Sequence, residues 1–71
     1  MNIAKFQTIA NEHIKQMQEF DWQPSKMENA QFVWQNITVD ERVEVMEEVG
    51  MNHRSTLKTF GAILQRIAKE L

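Results

Sequence analysis

Two four-residue motifs constrain this chain more than anything else in it: Ser25-Lys26-Met27-Glu28 and Thr38-Val39-Asp40-Glu41. In each, a hydroxyl residue is followed three positions later by glutamate, the pattern of a capping box. The hydroxyl oxygen accepts from the glutamate amide, and the carboxylate accepts from the amide of the hydroxyl residue. Two donors that a helix start would leave orphaned are thereby satisfied together. Helices are therefore expected to open near residues 26 and 39, with the first ending only a residue or two before the second begins. The chain must turn a tight corner between them.

The apolar residues around these motifs recur at helical spacing. Ile3, Phe6, Ala10, Ile14 and Met17 form one stripe, widened by Ile9, His13 and Phe20, which predicts a helix over 3–20 with Asn2 as its N-cap. The segment Asp21-Trp22-Gln23-Pro24 ends it, because proline disfavours helical geometry in the residue before it. A second helix over 26–36 is expected to bury Met27, Ala30, Val33 and Trp34, with Ile37 continuing the same face. A third over 39–49 is expected to bury Val39, Val43, Met46 and Val49 and to stop at Gly50, which can take positive φ. The last, over 55–71, has the seam Leu57, Phe60, Leu64, Ile67, Ala68 and Leu71, with Gly61 and Ile63 at its edges. No alternating run and no Asn-Gly or Asp-Gly turn suggests a strand. The expected fold is all-α: a compact bundle of about four short amphipathic helices, one domain spanning 1–71.

Seventy-one residues leave no room for a second core. A chain of this size buries only about 60% of its unfolded surface, so a partner would help its stability. Disulfides cannot do so, because there is no cysteine, which also fits a reducing compartment. No apolar run is long enough to span a bilayer and the start of the chain lacks a signal-peptide pattern, so the expected location is the cytoplasm.

Charge is unevenly distributed. Residues 1–50 carry nine acids against four bases, a net of −5, whereas residues 51–71 carry four bases against one acid, a net of +3. The third helix is expected to send Asp40, Glu41, Glu44, Glu47 and Glu48 outward as an acidic face. The fourth gathers Arg54, Lys58, Arg66 and Lys69 within an arc of about 120°.

Catalysis finds little support. His13 and His53 lack the spacing of a zinc hydrolase, Gly50 and Gly61 stand alone rather than in a phosphate loop, and no cofactor is implied. His13 is expected to be packed and hydrogen-bonded, and Arg42 to lay its stem over the core edge while its guanidinium reaches an acid or solvent. Trp22, in a connection, and Phe32, roughly 140° around its helix from Met27, either cap the bundle or form an aromatic contact patch. Met27, Met46 and Met51 could adapt around it.

The segment Gly50-Met51-Asn52-His53-Arg54-Ser55-Thr56-Leu57-Lys58 resembles the turn of a helix-turn-helix module, one residue longer than that pattern. The resemblance implies that Asn52, His53, Arg54, Ser55 and Lys58, with Arg66 and Lys69 on the basic face of the last helix, would approach DNA. Two readings follow. The leading one is a small non-catalytic interaction or regulatory protein that binds another protein or self-associates, with Trp22, Phe32, Asp40, Glu44, Glu47 and Glu48 as the partner surface. In the self-associating version, acidic helix three meets basic helix four of a second copy. The alternative is a helix-turn-helix-like DNA-binding regulator.

Overall fold

A computed structural model describes residues 2–50 and 57–71. Within them the chain folds as four helices, α1 (Ile3–Gln18), α2 (Lys26–Asn36), α3 (Val39–Val49) and α4 (Leu57–Glu70). Both capping boxes form. Ser25 Oγ accepts from the Glu28 amide at 3.1 Å and the Glu28 carboxylate accepts from the Ser25 amide at 3.0 Å. Thr38 and Glu41 repeat the exchange at 3.2 and 3.0 Å. Only Ile37 and Thr38, both extended, separate α2 from α3, so the tight corner is real. Asn2 caps α1 by accepting from the Lys5 amide, and Gly50 closes α3 in the left-handed region at φ 73°.

α1 stops earlier than its stripe predicts, and the stop is made by Asp21 rather than by Pro24. Asp21 sits at φ 54°. Its amide donates to the Gln18 carbonyl, and the Trp22 amide reaches back to Met17. These two bonds satisfy carbonyls that the helix end would otherwise orphan, in a Schellman pattern with aspartate in the place glycine usually takes. Phe20 is consequently lifted off the stripe into a turn and is 75% exposed.

The core lies where α2 and α4 cross, with α1 on one flank; α3 packs chiefly on α4. Phe6 and Ala10 of α1, Ala30 and Val33 of α2, Ile37, Val45 of α3, and Ile63, Leu64, Ile67 and Ala68 of α4 make up its buried side chains. Ile63 is therefore core rather than edge. Met27, expected in the core, is exposed at the start of α2, while one turn-side neighbour, Asn29, is buried in its place. No buried side-chain nitrogen or oxygen among the described residues lacks a partner.

The largest departure from expectation is in α3. Val39 is 72% and Val43 45% exposed, whereas Val45 is fully buried. At 100° per residue Val45 lies about 160° around the helix from Val43, so the two cannot both face the core. The helix contains two overlapping stripes, Val39-Val43-Met46 and Arg42-Val45-Val49, and packing on α4 selects the second. Two contacts hold that rotation. Arg42 donates from Nε to the Trp34 carbonyl at 2.9 Å, and Lys5 of α1 donates to Glu41 at 2.6 Å.

A candidate interaction surface on the third helix

The rotation of α3 builds a surface with two parallel rows. Val39 and Val43 stand one turn apart on the outside, continued by the half-buried Met46. One position further round, Asp40, Glu44 and Glu47 form a second row, all exposed. An isolated exposed valine is ordinary, since most surfaces are half apolar. A β-branched pair in register with a methionine, rimmed by carboxylates, is the composition of a contact ridge.

Glu41 and Glu48 each bind a base of another helix. Glu41 Oε1 takes donors from Lys5, the Thr38 amide and the Thr38 hydroxyl. The Lys5 ammonium and these bonds hold its carboxyl down at about 2. Glu48 pairs with Arg66 of α4 at 3.1 Å, and Arg66 also binds Glu70 one turn along its own helix. Those carboxylates raise the Arg66 pKa above its ordinary value. An acid of α3 and a base of α4 thus already meet within one chain.

Arg42 turns to Trp34 rather than to an acid. Its guanidinium lies 5.2 Å over the Trp34 ring, and Trp34 in turn meets Phe60 edge-on at 6.5 Å. The cation is shared between a backbone carbonyl and an aromatic face, on the side of α3 about 60° from Val39.

The aromatic candidates are placed apart from this ridge. Phe32 stacks on His13 with centroids 4.3 Å apart and planes 8° from parallel, and His13 Nδ1 lies 2.7 Å from the Asn29 Oδ1. His13 is thus packed and hydrogen-bonded, as its place on the apolar face predicted. The buried Asn29 needs that partner, because an unpaired carboxamide in the core is costly. Phe32 is half-buried as a consequence. Trp22 is 54% exposed. The Ser25 amide and hydroxyl, with a smaller contribution from the Trp22 side chain, lower the Glu28 pKa. Glu28, Gln31 and Gln35 line a shallow cleft of about 220 Å³ with His13 and Phe32. A second cleft of about 340 Å³ lies between α1, the start of α2 and Leu71, and its lining includes the amides Gln7, Asn11, Gln23 and Asn29.

Of the residues tied to DNA contact, Asn52, His53, Arg54 and Ser55 lie outside the described residues, as does the expected start of the last helix at residue 55. Lys58 falls in the first turn of α4, Lys69 is exposed, and Arg66 is committed to its two carboxylates. Among the described residues no group of three or more His, Asp or Glu side chains is placed to hold a metal ion. No described helix is long and apolar enough to cross a membrane.

Val39 and Val43 are the surface residues that sequence reasoning missed. One signal pointed to them: α3 carries five apolar side chains in eleven residues, more than a single face can bury. Comparison with protein-family models, with curated proteins and with solved structures finds no match for this chain.

Proposed function

We propose that this chain is a small, non-catalytic interaction protein of the cytoplasm, regulatory in role, that binds another protein or a second copy of itself through the outer face of α3. The observation that carries the reading is the exposure of Val39 and Val43 beside Asp40 and Glu47. An eleven-residue helix with a second apolar row turned to solvent gains nothing from it in the isolated chain. Covering that row removes apolar surface from water, at roughly 25 cal/mol per Å². The commitment of Arg66 to Glu48 and Glu70 speaks for a protein partner over a duplex, since a phosphate-binding face needs its cations available.

The test is a photo-crosslinking amino acid placed at position 43, with a control at position 15, an exposed position of α1. Expressed in host cells, the protein should form a discrete adduct from position 43 that position 15 does not form. No adduct from 43, or the same adducts from both, ends this reading. A salt-dependent gel shift with duplex DNA that Lys58→Ala weakens would favour the nucleic-acid alternative instead.

A further inference from the structure

We propose that the cleft between α1 and the start of α2 binds a small carboxylate with an apolar body. The observation that carries this is Asn29, a polar residue only 6% exposed. Its Oδ1 lies 2.7 Å from His13 Nδ1; a carboxamide oxygen can only accept, so the ring nitrogen donates and the amide is oriented. None of the described residues accepts from the Asn29 Nδ2. Among them no fully enclosed polar side-chain atom lacks a partner, so this nitrogen reaches the opening that Asn29 lines, the cleft of about 340 Å³. A nearly buried NH2 group facing a cleft requires an acceptor from whatever fills it, because it loses its hydration there.

The rest of the lining sets the class of ligand. Lys26 stands at the cleft, exposed and without an ion-pair partner among the described residues. No acid is among the described residues that line it. Glu28, the acid in the first turn of α2, lines the other cleft and is bound into its capping box. The positive end of the α2 dipole adds to the same field. Ala10, Ile14, Pro24 and Leu71 supply apolar wall, while Asn11 and Gln23 add amides. An ammonium and amide donors beside apolar walls match a carboxylate head on a hydrocarbon body. A neutral amide would satisfy Asn29 but forgo the Lys26 charge, and a cation would meet that charge unfavourably. The volume is at the small end for a ligand site, which limits the body to a short chain or one ring. None of the lining belongs to α3, so this site stands independently of the interaction reading.

The experiment titrates the isotope-labelled whole protein at low salt with hexanoate, hexanamide and hexylamine, followed by amide chemical shifts. Hexanoate should shift the Asn29 side-chain amide and the backbone signals around Ile14 and Lys26 saturably, with a dissociation constant of roughly 1 mM for so small a molecule. Hexanamide should bind about fivefold more weakly, and hexylamine should show no saturable binding. Lys26→Gln should cost hexanoate about fivefold and leave hexanamide unchanged, the scale of an exposed ion pair. Ile14→Phe, which fills the cleft, should abolish binding of both, with its helical circular dichroism compared against the parent. If that variant does not fold, Lys26→Gln and the three probes decide alone. Equal affinity for hexanoate and hexanamide, or shifts centred on Phe32 and Gln35 instead, overturns the proposal. So does a response to hexanoate that does not saturate, or one that Lys26→Gln leaves unchanged.

Discussion

α3 and α4 both carry apolar side chains at helical spacing, yet they use them in opposite ways. α4 turns Ile63, Leu64, Ile67 and Ala68 into the core as one seam. α3 buries Val45 completely, half-buries Val49, and leaves Val39 and Val43 outside. The difference lies in what surrounds each helix. α4 is packed by α2, α3 and α1 together, so its seam from Ile63 to Ala68 is covered. α3 enters from a two-residue corner and has α4 as its main neighbour, so only one side can be covered. A helix on the edge of a bundle buries as much of its stripe as its neighbours reach, and no more.

That contrast can be broken by mutation. Ile67→Ala, at a side chain with no exposure, should cost about 2–5 kcal/mol in chemical denaturation, from lost burial and the cavity left behind. Within α3, Val45→Ala should cost roughly 2 kcal/mol. Val43→Ala, two residues away, should stay within about 0.5 kcal/mol. Equal losses at 43 and 45 would mean that α3 does not sit in this rotation.

The corner that sets the rotation can be tested in the same way. Thr38→Ala removes the acceptor for the Glu41 amide and should cost about 1 kcal/mol, read as a lower thermal midpoint. Thr38→Ser should restore most of it.

The smallest effect expected is with pH. Glu41 is held at about 2 in the folded chain, below its ordinary value of 4.5. Between those values the unfolded chain binds more protons, so stability is full above about pH 4.5 and declines as pH falls toward 2. Glu28, lowered by its own capping box, adds to the decline with the same sign. Glu41→Gln should flatten the slope of thermal midpoint against pH across that window. An unchanged slope would remove the Lys5–Glu41 contact as an anchor of α3.

How far the molecule was legible in its sequence follows the range of the interactions involved. Capping boxes are local: Ser25 and Glu28, or Thr38 and Glu41, find each other within one turn whatever the rest of the chain does. The N-cap Asn2 and the C-terminal Gly50 are equally local, and they too stand where expected. Asp21 escaped notice because aspartate enters the left-handed region only in certain contexts, and Pro24 offered a more obvious reason for the break. His13 was legible as a packed residue, but its partner Asn29 was not, because sixteen positions separate them. The candidate surface was half-legible. The acids of α3 were expected outside, and Asp40, Glu44, Glu47 and Glu48 are; Val39 and Val43 beside them were expected inside, and are not.

Two capping boxes and four periodic stripes, in a chain with no strand signal, determine by themselves that this protein is all-helical, and the local signals set the start of α1 and both ends of α2 and α3. Their physics acts over one turn of backbone, which a linear reading contains. The face that α3 presents was decided only in three dimensions. Val39-Val43-Met46 and Arg42-Val45-Val49 are nearly equivalent as patterns. The choice between them came from the Trp34 ring and carbonyl that receive Arg42, the Lys5 ammonium that receives Glu41, and the side of α4 that covers Val45. Those groups come from three other helices, and only folding brings them together.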